Sequence, residues 1–392
     1  MIAGYPTGGR RSGSITHVEK LAQHLSEVNG TEVHVITIGK RNETLRKGRV
    51  TVHVLSVARY FSSILLPFGP WSMRRRISQI APDLVHSTGG GFPYSMVSVS
   101  LRHRYPVLIS IFSFAAGEAR FTRDPVRRLR TALISTPCAR YAIPRAPHII
   151  VQSRFTESLV RQRAKKSRIH VIPEGVEFQE IQQIGPAALD GPSPDIFIAV
   201  NFRRLKGLDI LIRAMAIVKR TIPHVTLHIA GSGEQEGELR SLVETLDLHD
   251  NIKLLGFMSD QEKKYQLYKS CKLVVVPSRW DVEPFAPLDG AASGKPVIAS
   301  KSSNSSLVVH GKTGFVYETE DAEELARRIV ELLTDDRLRE QMGNAAREKA
   351  KEYDWSRIAE RTVEVYKQVM ADFSSRKGHK PVDTITASAA PE

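Results

Sequence analysis

The feature that most constrains this chain is an alternation of short apolar runs, bounded by turn residues, with stretches that carry apolar side chains at helical spacing. Runs apolar throughout suit strands buried on both faces, and strands separated by helical stretches suit a parallel sheet wound with crossover helices. The alternation is run through twice. The first series predicts strands at 1–3, 32–37, 83–86, 106–111 and 148–152, with a helix over 14–28. The second starts afresh at Asp195, with strands at 196–200, 225–230, 252–255, 273–276 and 296–299 and helices over 208–219 and 237–246. Between them, Gly185-Pro186 and Asp190-Gly191-Pro192-Ser193-Pro194 mark residues 178–194 as a linker or hinge. The expected organisation is a first α/β domain over 1–177, the linker, a second over 195–353, a closing helix over 354–373 and a polar, disordered tail over 374–392.

With 392 residues, 41% hydrophobic and 25% charged, the chain can bury two cores of ordinary size. Cys138 and Cys271 stand far apart and in no Cys/His spacing, so neither a disulfide framework nor a structural zinc site is indicated. The opening Met1-Ile2-Ala3-Gly4-Tyr5-Pro6 does not resemble a secretory leader, and no uninterrupted apolar run approaches the ~18 residues of a spanning helix. A cytoplasmic location is expected. The net charge of +14 is one-sided: residues 1–190 hold 27 Lys and Arg against 12 Asp and Glu, whereas the remainder holds 29 against 30. Such a field predicts an anionic partner for the first half.

Three motifs in the second half carry chemistry. Ala199-Val200-Asn201-Phe202-Arg203-Arg204-Leu205-Lys206-Gly207 follows a strand and opens a helix, so cationic side chains and helix-start amides converge where open α/β sheets bind ligands. Arg203 offers a bidentate fork and Lys206 a point charge, a combination suited to a diphosphate leaving group. Ala230-Gly231-Ser232-Gly233 approaches a dinucleotide fingerprint but misses its spacing, and reads as a tight turn that admits a ligand to the backbone. Then comes 277–299, where Glu283 and Asp289 precede Gly294-Lys295-Pro296-Val297-Ile298-Ala299; carboxylates there can accept hydrogen bonds from vicinal hydroxyls.

On these residues the chain resembles the retaining family-four glycosyltransferases (glycosyl transferases group 1) of GT-B fold. Further matches fall in the same order: Pro6-Thr7-Gly8-Gly9 with His17-Val18, Pro82-Asp83-Leu84-Val85-His86, Val171-Ile172-Pro173-Glu174-Gly175-Val176, Gly207-Leu208-Asp209, Leu255-Gly256-Phe257 and Gly311-Lys312-Thr313-Gly314-Phe315. The resemblance implies two Rossmann-like doubly wound domains facing across a cleft. It implies Arg203 and Lys206 on the donor diphosphate, Glu283 on the donor sugar, Asp289 on the ribose, Gly231 and Gly233 beside the donor, and Gly8 and Gly9 bringing amides to the reacting phosphate. It implies neither metal nor cofactor, with a nucleotide sugar as substrate. Departures accompany the matches. Five residues rather than seven separate Glu283 from Asp289, Phe112 stands where the family usually has His, Asn201 stands where many members have Arg, and 302–306 is Ser-Ser-Asn-Ser-Ser where a Gly-Gly loop ending in Glu is common.

On the acceptor side, His17 and Phe112 are candidates, together with Arg74, Arg75 and Arg76, which follow the apolar and aromatic stretch 60–73. Apolar residues beside cations suit an interfacial segment on anionic lipid, and Arg127, Arg128 and Arg130 would extend that face. The expected acceptor is lipid-linked or a polysaccharide precursor, taken up at the inner face of a membrane. Nucleic acid is not expected, because the basic clusters lack a stacking platform or recognition helix. Two alternatives stay open: a non-catalytic homologue that scaffolds a glycosyltransferase complex, and a GT-B sugar-nucleotide epimerase.

Overall fold

A computed structural model describes residues 1–5, 13–56, 68–89, 93–112, 114–188 and 192–376. The chain forms two compact units, one of residues 1–112, 132–172 and 356 onward, the other of 113–131 and 173–355.

Among the described residues of the first unit seven strands follow the chain: β1 (Val33–Gly39), β2 (Glu43–Lys47), β3 (Val50–Ser56), β4 (Val85–Thr88), β5 (Val107–Ile111), β6 (His148–Val151) and β7 (Arg168–Val171). Ile2 joins two runs, β2-β3-β1 and β4-β5-β6-β7, by bridging Ile36 and Ser87 in parallel. Every pairing is parallel except β2 with β3. β4, β5 and β6 are buried at every position, as a sheet covered on both faces requires. β2 is an exposed edge carrying Arg46 and Lys47, charges that discourage further pairing.

The second unit holds β8 (Ile196–Ala199), β9 (Leu227–Ala230), β10 (Ile252–Gly256), β11 (Val274–Val276), β12 (Val297–Ser300) and β13 (Gly314–Tyr317). Its runs β10-β9-β8 and β11-β12-β13 meet at an Ile196–Leu273 bridge, and every pairing is parallel. Counted within the unit the order is 3-2-1-4-5-6, so strand order reverses between β8 and β11. The helix Leu208–Val218 buries Leu208, Ile210, Leu211, Ile212, Ala214, Met215 and Val218 against this sheet.

Several expectations need correction. The stretch 178–194 does not begin as a linker: Phe178–Gln183 is a helix whose Phe178 and Ile181 enter the core of the second unit. The turn residues that suggested a hinge start only at Gly185, beyond this apolar turn. The closing helix runs Trp355–Arg376 and returns to the first unit, where Tyr366 meets His86 at 2.7 Å and Asp372 meets Arg168 and His148. Residues 113–131 group with the second unit although they lie within the span expected for the first domain. Strands β2, β3, β7 and β13 were not anticipated. The expected tail from 377 onward lies outside the described residues.

Candidate active site

At the switch point, the loops after β8 and β11 are joined by backbone hydrogen bonds and by one guanidinium. Leu205 O accepts from the amides of Arg279 at 2.8 Å and Trp280 at 3.3 Å. Arg279 donates both its terminal nitrogens to Asp209, at 2.7 and 2.8 Å, and one of them to Arg204 O at 3.0 Å. Burial alone would raise the Asp209 carboxyl; the Arg279 hydrogen bonds and charge overcome this and hold it below the usual carboxylate range. Gly207 closes the join. It sits at φ +65°, and a Cβ there would lie 2.0 Å from Pro277 O.

The glycine turn after β9 is packed against the β8 loop. Phe202 donates its amide to Ser232 O at 3.0 Å and accepts from the Gln235 amide at 3.0 Å, and its side chain is fully buried. A Cβ at Gly231 would come within 1.8 Å of Val200 O, and one at Gly233 within 2.5 Å of Phe202 O. Both glycines are therefore required by protein packing, whatever ligand they also admit.

This framework displays the expected cations. Arg203 Nη2 lies 2.9 Å from Glu118 Oε2, and Arg203 Nε is buried with no hydrogen-bond partner. Lys206 Nζ pairs with Asp281 Oδ2. Asp281 is fixed by its own loop and by the loop after β12, since its Oδ1 accepts from the Val282 amide at 3.1 Å and its carbonyl accepts from Asn304 at 2.8 Å. Two residues on, Glu283 is 4% exposed and accepts from the Ser306 amide at 3.1 and 3.3 Å. Burial pushes its carboxyl well above the usual range; Ser306 opposes this, and Glu174 and Asp281 add to it.

Asp289 is placed differently. It lies on the buried helix Phe285–Ala292 and pairs with Lys264 at 2.9 Å, both side chains mostly buried. Gly290 brings this helix against β11, where a Cβ would meet Val274 Cγ2 at 2.7 Å. The structure thus sets Arg203, Lys206 and Glu283 on the two switch-point loops, while the Asp289 carboxylate, expected on a ribose, is engaged by a lysine. Sequence reasoning missed Arg279, Asp209, Asp281 and Glu118. Arg279 and Asp209 lay inside quoted motifs, but nothing local marks them as partners 70 residues apart.

Among the first unit's candidates, His17 is buried on the helix Gly13–Leu25, with its ring 3.9 Å from that of Phe112, just after β5. Arg74, Arg75 and Arg76 do not act together on the helix Phe68–Ile80. Arg74 donates to Ser100 Oγ at 3.1 Å, Arg75 lies 5.9 Å from the ring centre of Trp71, and the charge of Arg76 adds to burial in lowering the pKa of His53. Successive helical residues point about 100° apart, which is why the triplet splays. Gly8, Gly9 and residues 60–67 of the interfacial stretch lie outside the described residues. Among the described residues, no cluster of three His, Cys, Asp or Glu side chains is arranged to hold a metal ion, and no helix is long and apolar enough to cross a membrane.

Two α/β units whose sheets are parallel apart from the β2–β3 edge, the second with its charged loops at the reversal of strand order, define the GT-B architecture, and solved structures agree. Sucrose-phosphate synthase from Thermosynechococcus elongatus superposes with a TM-score of 0.78 at 21% identity, over 95% of this chain and 99% of its own. Anabaena HepE, solved with UDP and glucose, gives 0.69 at 20% identity, over 94% and 99%. The family profile for glycosyltransferase family four matches residues 11–180 and that for glycosyl transferases group 1 matches 180–349, and the chain belongs to this family. An uncharacterised glycosyltransferase of Methanocaldococcus jannaschii is 24% identical over 91% of this chain and 95% of its own length. The GDP-mannose-dependent monoacylated alpha-(1-6)-phosphatidylinositol monomannoside mannosyltransferase of Corynebacterium glutamicum is 35% identical over 43% of this chain and 46% of its own.

Proposed function

We propose that this glycosyltransferase moves a sugar from a nucleoside-diphosphate donor to an acceptor with retention of anomeric configuration. The observation that carries the proposal is the placement of Arg203 and Lys206 after β8, at the point where strand order reverses, with Glu283 on the facing loop after β11. In this reading the two cations stabilise the charge that develops on the departing diphosphate, in a position set before the reaction begins. Glu283, buried and already accepting from the Ser306 amide, accepts hydroxyl hydrogen bonds from the donor sugar through its remaining lone pairs. The nucleoside diphosphate leaves on the face that the acceptor approaches, and its phosphate takes the acceptor proton, so no nucleophilic carboxylate and no metal is called on. Positioning supplies much of the rate.

The acceptor proposed is phosphate-bearing, either lipid-linked or a polysaccharide precursor, met at the inner face of a membrane. The surplus of 27 cationic over 12 acidic residues in 1–190 supports this, as do the exposed Trp71 beside Arg75 and the mannosyltransferase relative's lipid acceptor. Vesicles of anionic lipid should retain the protein at low salt and release it at high salt; a protein that stays in solution under both conditions ends the membrane part.

The transfer itself is tested with a panel of UDP-, GDP- and ADP-sugars. A ligand that binds only the folded state raises the thermal midpoint, and release of nucleoside diphosphate reports turnover. Replacing Arg203 or Lys206 by Ala should cut release on the order of 10²–10³-fold, the scale of losing one preorganised transition-state donor. A double variant with undiminished turnover refutes the assignment. Phe112, in the position usually held by His, favours the scaffold reading, which predicts donor binding without release.

A further inference from the structure

We infer that Glu118 is a built-in competitor for the donor diphosphate: its carboxylate occupies the Arg203 guanidinium and must yield it when the nucleotide binds. This rests on the reading of Arg203 as a diphosphate contact. Glu118 reaches Arg203 from a segment that belongs to the first half of the sequence but groups with the second unit. It ends the short helix Ala115–Glu118, which runs on into the turn Ala119–Phe121.

Contacts on either side hold this segment against the second unit. Gly117 lies against the Trp280 indole so closely that a Cβ would come within 2.6 Å of Cζ2, and Arg123 pairs with Glu238. Trp280 is itself bonded through its amide to Leu205 O, between Arg203 and Lys206. The segment therefore docks on the loop that carries both cations.

The carboxylates paired with those cations are held differently. Asp281 is a member of the β11 loop, tied down through its side chain and its carbonyl, so its pairing with Lys206 belongs to the framework. Glu118 is brought in by a separate segment that also meets the second unit at Gly117 and Arg123. The Arg203–Glu118 pair is about one-fifth exposed on each side, open enough for exchange and dry enough for the charges to matter. A diphosphate arriving at Arg203 meets a like charge at the guanidinium it needs, and it gains that fork only by displacing Glu118. Arg203 Nε, buried without a partner, is a further donor that such an anion could use. Nucleotide affinity is thus set by a difference between two anions, and occupancy of the donor site is coupled to release of the segment around Glu118.

The test is titration calorimetry of the full chain with UDP, GDP and ADP, on the wild type, Glu118→Gln, Arg203→Ala and the double variant. Glu118→Gln should tighten binding of the preferred nucleotide about fivefold, the scale of losing one partly solvated ion pair. Arg203→Ala should weaken it, and Glu118→Gln should bring no gain in that background. Without nucleotide, the thermal midpoint of Glu118→Gln should fall slightly, a sign that the pair it loses is real. Unchanged or weaker binding by Glu118→Gln overturns the inference and makes Glu118 a residue that positions Arg203. A gain that persists without Arg203 overturns it too, since the competition would lie elsewhere. If Arg203→Ala binds as the wild type does, or no variant binds any of the three nucleotides, the donor assignment itself fails.

Discussion

Replacing Arg279 by Ala removes the side chain that ties the two switch-point loops together without touching any proposed donor contact. The guanidinium side chain is 11% exposed and makes a bidentate pair with Asp209, a bond to Glu320 and one to Arg204 O. Removing one partner of a buried pair costs about 3–5 kcal/mol, because the other is left uncompensated. Here Asp209 is 29% and Glu320 61% exposed, so water repays part of the loss and the expected cost is nearer 3 kcal/mol. The Asp209→Asn variant should lose less, and the double variant should fall short of the sum by about 1–2 kcal/mol, since both changes break one interaction. Native-state hydrogen exchange through a urea series, read on peptides covering Leu208–Val218, measures this in the second unit alone. Losses that add to within about 0.5 kcal/mol would show that the pair is not coupled and that the loops are held by backbone bonds such as Arg279 N to Leu205 O.

Further tests probe other parts of the molecule. His148 is buried, stacks on His170 and faces Asp372, with Arg168 and Arg376 nearby; burial first and His170 second lower its pKa to about 4, Asp372 opposing. The unfolded chain therefore takes up this proton first as pH falls, so stability is lost between about pH 6.5 and 4, by about 3 kcal/mol. His148→Gln should flatten the dependence of the urea midpoint on pH in that window, and an unchanged slope would refute the assignment. Gly231→Ala places a Cβ at φ +149° against Val200 O and should cost at least about 2 kcal/mol, read as a lowered denaturation midpoint. Asp289→Asn leaves Lys264 buried without its charge partner; a fall in stability as large as the fall in nucleotide affinity would make its role structural.

The sequence made some of this legible and hid the rest for definable reasons. The inner strands β5, β6, β8, β11 and β12 were readable because each is a predominantly apolar run. β2 and β7 were not, since edge or partly exposed strands such as Glu-Thr-Leu-Arg-Lys and Arg-Ile-His-Val carry polar side chains outward and lose the apolar signal. Arg203, Lys206 and Glu283 were found because strand ends and motif order mark them. Glu118 could not be found that way: it stands 85 residues from Arg203, and the path of residues 113–131 into the second unit depends on contacts such as Gly117 on Trp280. Asp289 shows the opposite limit. Its place in a motif suggested a ligand, whereas its partner on a neighbouring helix emerges only from packing.

The helix Trp355–Arg376 also bears on synthesis. Its Tyr366 covers His86, and its Asp372 joins Arg168 and His148, so the first unit is complete only when residues beyond the second unit have been translated. Every segment of the second unit is made before then. On the ribosome the unit that begins first would close last, holding an uncapped sheet while its neighbour folds. Truncation between the units should for the same reason yield no well-folded fragment of residues 1–172, because its cap follows the second unit in the sequence.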